Sequence, residues 1–311
     1  MSDGLLTLGL DVGGTKIAAG LVHFPSARVE LRRQIPTHPG RGGAAVLTEL
    51  AQLSQELLRE AGIPASALAG TGLGLCELVA PSGEILSANC LPWKQHDVQT
   101  ALGFLGSVTV EADVRAAARA EACFGAGRPF RSFLYVTVGT GIASCLVLEG
   151  QPYVGARGAT GTMASSPLSV PCEHCGQTTR RTLEELASGP ALVARYNQHR
   201  PGGATSGQDV LSAAAAGDVA AQAVVKSAGE ALHASVALLV NVLDPEAVIV
   251  GGGLGLSQGP YWTEFLEATR RHIWSDVHRD LPILRAETGL DAGLIGAAYS
   301  ALNHRLHPGR H

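Results

Sequence analysis

The chain has no run of basic residues, no positively charged leader and no long uninterrupted apolar stretch. Its 23 Lys and Arg stand against 27 Asp and Glu, a net charge of −4. Nucleic acid and anionic membrane surfaces are therefore not expected as partners. The first residues lack the charged and apolar regions of a secretory signal, and the run from Val236 to Leu243 is too short to cross a bilayer. There is no cysteine framework either. Cys76, Cys90, Cys123 and Cys145 share no spacing and read as small core hydrophobes, so a reducing cytoplasm is the expected setting. Charged residues make up only 16% and hydrophobic residues 46%, which excludes a disordered chain. The 311 residues suffice for two domains, and no low-complexity linker separates the halves, so a shared cleft is expected.

What is there begins at residues 11–16, Asp-Val-Gly-Gly-Thr-Lys, directly after the apolar run Leu5 to Leu10. A strand that runs into an acid and two glycines makes a turn where backbone approaches a ligand closely. The N–H groups of Gly13 and Gly14, the Thr15 hydroxyl and the Lys16 ammonium suit an anion. Asp11 suits a hydrated divalent cation, which prefers carboxylate oxygen. The other reading is a tight hairpin turn, since Ile17 to Val22 makes a plausible second strand.

Apolar spacing predicts three short strands over 5–35, a helix over 44–61, a strand over 71–76, a helix over 97–105, a strand over 107–111 and a helix over 114–124. A second series has strands over 133–138 and 142–148, a Gly-rich loop over 150–161 and a polar loop over 165–181. Helical patterns follow at 182–198 and 207–241, then a strand over 247–250, a helix over 260–274, a strand over 282–286 and a closing helix over 292–304. The alternation argues α/β. Both halves open with an apolar strand, a Gly-Thr turn and another apolar strand, as a duplicated domain would.

Three glycine turns stand in order: DVGGTK at 11–16, VTVGTG at 136–141 and VIVGGG at 248–253. Val110-Glu111-Ala112-Asp113 lies between the first two, SGPAL spans Ser188 to Leu192, and LDAGLIGAA runs from Leu290 to Ala298. With these the chain resembles the ROK family of sugar kinases and repressors, within the actin-like ATPase superfamily. The resemblance implies two α/β, ribonuclease H-like domains around a central cleft: 1–114 plus 292–311, and 115–291. It implies ATP and Mg²⁺, with Gly13, Gly14, Thr15 and Lys16 at the terminal phosphates and Asp11 near the metal. Gly139, Thr140 and Gly141 would form a second phosphate loop, and Gly251, Gly252 and Gly253 would line the adenosine pocket. Asp113 matches the family's general base; a helix N-cap is the plainer role for it. A homodimer is implied too. Family repressors carry a winged helix before the first strand, so a DNA-binding role is not expected here.

The acceptor half departs from the family pattern. Ala112 replaces an Asn before the base, Arg115 replaces a second Asn, and Cys76-Glu77 replaces a Pro-Gly. In the sugar-binding stretch the usual Glu is Thr162 and the usual His is Ser165, while a further sugar-contacting Glu survives as Glu184. Glucose is therefore doubtful as substrate. Either Glu77, Arg115, Thr162 and Ser165 rebuild the pocket for another polyol, such as a cyclitol, amino sugar or modified sugar, or Glu77 and Arg115 merely pair across its rim. The family's zinc loop keeps only Cys172 and Cys175, with changed spacing, so a metal-free remnant is favoured over a structural zinc. The expected function is an ATP-dependent kinase of a sugar-like hydroxyl. The alternatives are a hexose kinase with a relaxed pocket, a catalytically weak metabolite-binding regulator, and polyphosphate as donor.

Overall fold

The structure is a computed structural model that describes residues 4–171 and 176–306. In chain order the elements are β1 (Leu5–Val12), β2 (Lys16–Phe24), β3 (Arg28–Pro36), α1 (Gly43–Ala61), β4 (Gly70–Leu75), α2 (Gln95–Leu102), β5 (Val108–Ala112) and α3 (Asp113–Phe124). Next come β6 (Ser132–Val138), β7 (Ile142–Leu148), β8 (Gln151–Pro152), β9 (Pro167–Pro171), β10 (Thr178–Thr182), α4 (Leu183–Ala187), α5 (Gly189–His199), α6 (Gly207–Ala215) and α7 (Val219–Leu243). The chain closes with β11 (Val248–Gly251), α8 (Gly252–Gly255), α9 (Pro260–His272), β12 (Ile283–Arg285) and α10 (Ala292–Leu306).

Two compact units emerge. The first holds the chain up to residue 128 with 147–160 and everything from 290 on; the second holds 129–146 and 161–289. Sheet order is β3-β2-β1-β4-β5 in one sheet and β8-β7-β6-β11-β12 in the other. Read by role the two orders are the same, which is what a duplicated α/β domain predicts. In each sheet the central strand takes its next partner in parallel, β1 with β4 and β6 with β11, so an intervening helical crossover is required.

In the first unit α10 lies against β1, β4 and α3 with almost no side chain between. Gly72 of β4 faces the Ala297 carbonyl so closely that a Cβ would overlap it, and Gly296 meets the Ala116 carbonyl of α3 in the same way. The helix is thus clamped between sheet and α3 by glycines, which give the closest backbone approach available. On the other side of the sheet α1 buries Val46, Leu50, Leu53 and Leu57 at helical spacing. It ends at Gly62, whose left-handed backbone lets its N–H bond Leu58 and Arg59 carbonyls.

The second unit corrects three sequence expectations. The pattern over 182–198 is two helices, because Ser188 is extended and its hydroxyl accepts the Ala191 N–H to cap α5. The pattern over 207–241 also breaks, at Gly217 and Asp218, where Asp218 caps α7 through the Ala221 N–H. The polar loop over 165–181 contains the hairpin β9–β10, in register Thr178 to Pro171 through Thr182 to Pro167. By length and hydropathy α7 could cross a membrane, where the shorter run Val236 to Leu243 could not. Its Val224, Leu232, Val236 and Val240 are buried in the core of this unit, as expected of a core helix.

Candidate active site

Asp11, Gly13, Gly14, Thr15, Lys16, Glu77, Asp113 and Arg115 fall in the first unit. Gly139 to Gly141, Thr162, Ser165, Glu184 and Gly251 to Gly253 fall in the second. Cys172 and Cys175 lie outside the described residues. Among the described residues no group of three or more His, Cys, Asp or Glu could hold a metal ion.

The DVGGTK turn is a hairpin turn as well as a ligand candidate. Val12 pairs with Ile17, and the Gly13 N–H donates to the Lys16 carbonyl at 2.9 Å. Thr37 braces it, its hydroxyl donating to the Gly13 carbonyl at 2.7 Å and its N–H to the Thr15 carbonyl at 3.0 Å. The Gly13 amide is thus engaged within the turn. Asp11, near the end of β1, points at the start of α10. A Cβ on Gly293 would stand 2.6 Å from its carboxyl carbon, so any larger residue there would push the Asp11 carboxylate from this position. Gly293 is a neighbour of this candidate residue that sequence reasoning missed; its signal was its place inside the LDAGLIGAA run. Burial pushes the Asp11 carboxyl up to about 6; Lys16 and Arg32 pull it down and Asp291 adds to the rise.

Asp113 is the first residue of α3 rather than its cap. The capping position is Ala112, which offers no side-chain bond, and the Asp113 Oδ1 accepts its own neighbour's N–H, that of Val114, at 2.6 Å. Burial pushes Asp113 up to about 7, with Asp11 and Glu77 adding to the rise and the Val114 N–H and Arg115 opposing it. A carboxylate tuned to near neutrality beside other acids is the kind of group found at proton-transfer sites.

Glu77 and Arg115 are placed apart in their bonding. Glu77 is buried and accepts from the Ser87 hydroxyl and from the amides of Asn89 at 2.9 Å, Cys90 at 2.6 Å and Leu91 at 2.8 Å. Burial alone would raise its pKa, but these bonds hold it below the usual carboxylate range. The Arg115 guanidinium donates to the Val79 carbonyl at 2.7 Å and the Gly158 carbonyl at 3.3 Å, and its Nε lies 3.8 Å from Glu111. Glu111 is itself gripped by Arg119, at 3.0 and 3.3 Å, and by the Ser300 hydroxyl.

In the second unit the two later glycine turns come together. A Cβ on Gly139 would lie 3.7 Å from the Gly253 amide, and one on Gly252, at φ +80°, would strike the Val138 carbonyl. The Gly139 carbonyl accepts the Gly189 N–H at 2.8 Å, which brings the start of α5 to the same turn. Gly207, first residue of α6, stands with its Cβ position 3.0 Å from Gly189. The Gly139 N–H is engaged by the Gly141 carbonyl at 2.9 Å, and at the start of α5 the Gly189 and Ala191 N–H groups are engaged by the Gly139 carbonyl and the Ser188 hydroxyl, so the pull of this corner on an anion comes from the helix dipoles rather than from those amides. Glu184 supports this turn: its Oε2 accepts the Ile142 N–H at 2.9 Å. Thr162 and Ser165 are exposed and joined through the Ser165 N–H and the Thr162 carbonyl at 3.1 Å.

A family model described as the ROK family matches residues 7–304. The chain is 32% identical over 300 residues to the bifunctional enzyme NanE/NanK of Brucella melitensis, a match covering 94% of this chain and 53% of that one, so the chain spans about half its length. It resembles the structure of a ROK family glucokinase from Streptomyces griseus in complex with glucose and AMPPNP, with a TM-score of 0.81, 26% identity and coverage of 95% and 99% of the two chains. A ROK hexokinase from Thermus thermophilus matches with a TM-score of 0.71, 35% identity and coverage of 96% and 98%. With nearly its whole length inside the family model, the chain belongs to the ROK family.

Proposed function

We propose that the chain is an ATP-dependent kinase that phosphorylates a hydroxyl of a sugar or sugar-like polyol, with Asp113 as general base. The observation that carries this reading is Asp113 itself: a half-buried carboxylate at the β5–α3 junction, pushed up to about 7 by desolvation and by Asp11. It accompanies an intact set of glycine turns in a chain whose family includes sugar kinases. The acceptor hydroxyl gives its proton to Asp113 as its oxygen attacks the γ-phosphorus and ADP departs. Positioning and charge neutralisation carry most of such a step.

ATP would supply the phosphoryl group, and a bound magnesium would neutralise the charge that develops on it. The residues fit that partner. Asp11 offers hard oxygen for a hydrated magnesium, and the room left by Gly293 keeps its carboxylate in place. Since the Gly13 amide is engaged, the contacts to phosphate come from Gly14, Thr15 and Lys16. The Gly139 amide is engaged likewise, by the Gly141 carbonyl at 2.9 Å, so Thr140, Gly141 and Gly251 to Gly253 take the rest of the nucleotide. A cytoplasmic homodimer without zinc is the companion reading.

Replacement of the family's Asn, Glu and His by Ala112, Thr162 and Ser165 supports an acceptor other than glucose, because a polar pocket loses discrimination when its hydrogen-bonding partners are removed. An amino sugar, modified sugar or cyclitol turned over better than glucose is the expected result of a substrate comparison. Glucose phosphorylated at the rate of a dedicated glucokinase would overturn it.

The raised pKa also predicts the pH dependence. The base works ionised, so kcat/KM at subsaturating magnesium nucleotide, which reports the free enzyme, should fall as pH drops through about 7, approaching tenfold per unit on the acid side. An acid limb centred near pH 4 would remove burial as the tuning force on Asp113.

A further inference from the structure

The frame around Glu77 has no assigned role. β4 runs on through Cys76, whose N–H still donates to the Val12 carbonyl at 3.1 Å, and Glu77 then turns inward, 4% exposed. Residues 78–86 fold back on themselves: Val79 bridges Ile85, and the Leu86 N–H donates to the Leu78 carbonyl at 2.8 Å. The chain leaves this small hairpin at Ser87, whose hydroxyl donates to Glu77 and accepts the Leu78 N–H at 2.8 Å. The next amides, from Asn89 to Leu91, close on the same carboxylate. One charged group thus gathers four donors from one short segment, in bonds strengthened by its charge. Arg115 holds the hairpin at Val79 and ties it to Gly158. Both residues are departures from the family pattern, and both serve one piece of backbone. A Pro-Gly at 76–77 would offer no such acceptor.

The latched segment reaches the reacting groups. The Cys90 sulfur lies 3.3 Å from where a Cβ on Gly14 would stand, and the Glu77 charge acts on Asp113. We infer that Glu77 is a positioning residue: its carboxylate latches residues 87–91 as a wall of the acceptor site beside Asp113, and so sets acceptor affinity without touching the acceptor. This rests on the kinase reading above. It revises the expectation that Glu77 and Arg115 contact the substrate directly.

Steady-state kinetics and amide hydrogen exchange on Glu77→Gln in the full chain test it. Gln keeps the size but turns an N–H₂ toward donors. The expected result is a rise of about tenfold in the acceptor KM, with the KM for ATP within about twofold of wild type. The amides of residues 89–91 should exchange faster while those of β1 and β4 do not. Ser87→Ala, which removes one donor, should shift both readouts the same way by less, and carries the test if Glu77→Gln does not fold. Unchanged exchange at 89–91 would overturn the latch. An equal rise in both KM values together with a lower Tm would reduce Glu77 to a general structural role and overturn the positioning claim. If wild type turns over no sugar, the kinase reading fails separately, and exchange alone decides the latch.

Discussion

Asp113→Asn is expected to lower kcat/KM by about 10²- to 10⁴-fold, the usual contribution of a positioned general base, and to abolish the acid limb of the pH profile. The fold should survive, because an Asn oxygen can still accept the Val114 N–H. Stability should move the other way from activity. A carboxyl whose folded pKa is raised from 3.8 to about 7 binds its proton more tightly folded than unfolded. Its ionisation therefore opposes folding, and stability falls as pH rises between those values. Asp113→Asn should melt higher than wild type at pH 8, by about 1–3 kcal/mol for a partly screened group, and the difference should vanish below pH 4. Thermal melts at the two pH values and initial rates on the same samples check both signs. A variant that keeps wild-type turnover would remove Asp113 as the base.

Gly72→Val is expected to give no folded protein, or one destabilised by about 3 kcal/mol or more. The added Cβ would fall inside the Ala297 carbonyl, which is backbone and has no rotamer with which to yield. Nor can α10 retreat, since Gly296 already seats it against the Ala116 carbonyl of α3. A loss of this size is a large part of the 5–15 kcal/mol that holds a domain folded. Gly103→Ala is the control: its backbone is helical and no atom lies within 4 Å of the new Cβ, so a change within about 0.5 kcal/mol is expected. Soluble yield and urea midpoints separate the two. Comparable midpoints for both variants would mean that α10 does not need its glycine contacts.

Much of this architecture was legible because burial writes itself into apolar periodicity. β1, β2, α1 and α3 announce themselves through unbroken runs or helical spacing of Leu, Val and Ala. The breaks inside long helical patterns were harder. Ser188 ends one helix and starts the next by a rotation of its own backbone, and neighbouring apolar residues keep the same spacing through it. In the β9–β10 hairpin β10 is polar throughout, and β9 alternates only over Leu168 to Val170 between two prolines, too short a pattern to mark a strand. At the site, Asp113 and Asp11 could be read from strand ends that run into acids. Glu77 could not: its partners are mainly backbone amides, and an amide has no identity in a sequence. Charge patterning could pair Arg115 with Glu111 four residues before it, 3.8 Å away, but not with the Val79 and Gly158 carbonyls that take its hydrogen bonds. The departures from the family pattern were visible; what they do was not, because it depends on which backbone they face.

The most direct measurement is product formation. The protein is incubated with magnesium, ATP and a panel of hexoses, amino sugars and cyclitols, and sugar phosphate and ADP are quantified by phosphorus NMR, with Asp113→Asn alongside. The predicted result is a phosphorylated acceptor formed one-for-one with ADP, from at least one panel member other than glucose, and lost in Asp113→Asn. Folded wild-type protein that binds ATP but yields no acceptor-dependent ADP from any member would contradict the account.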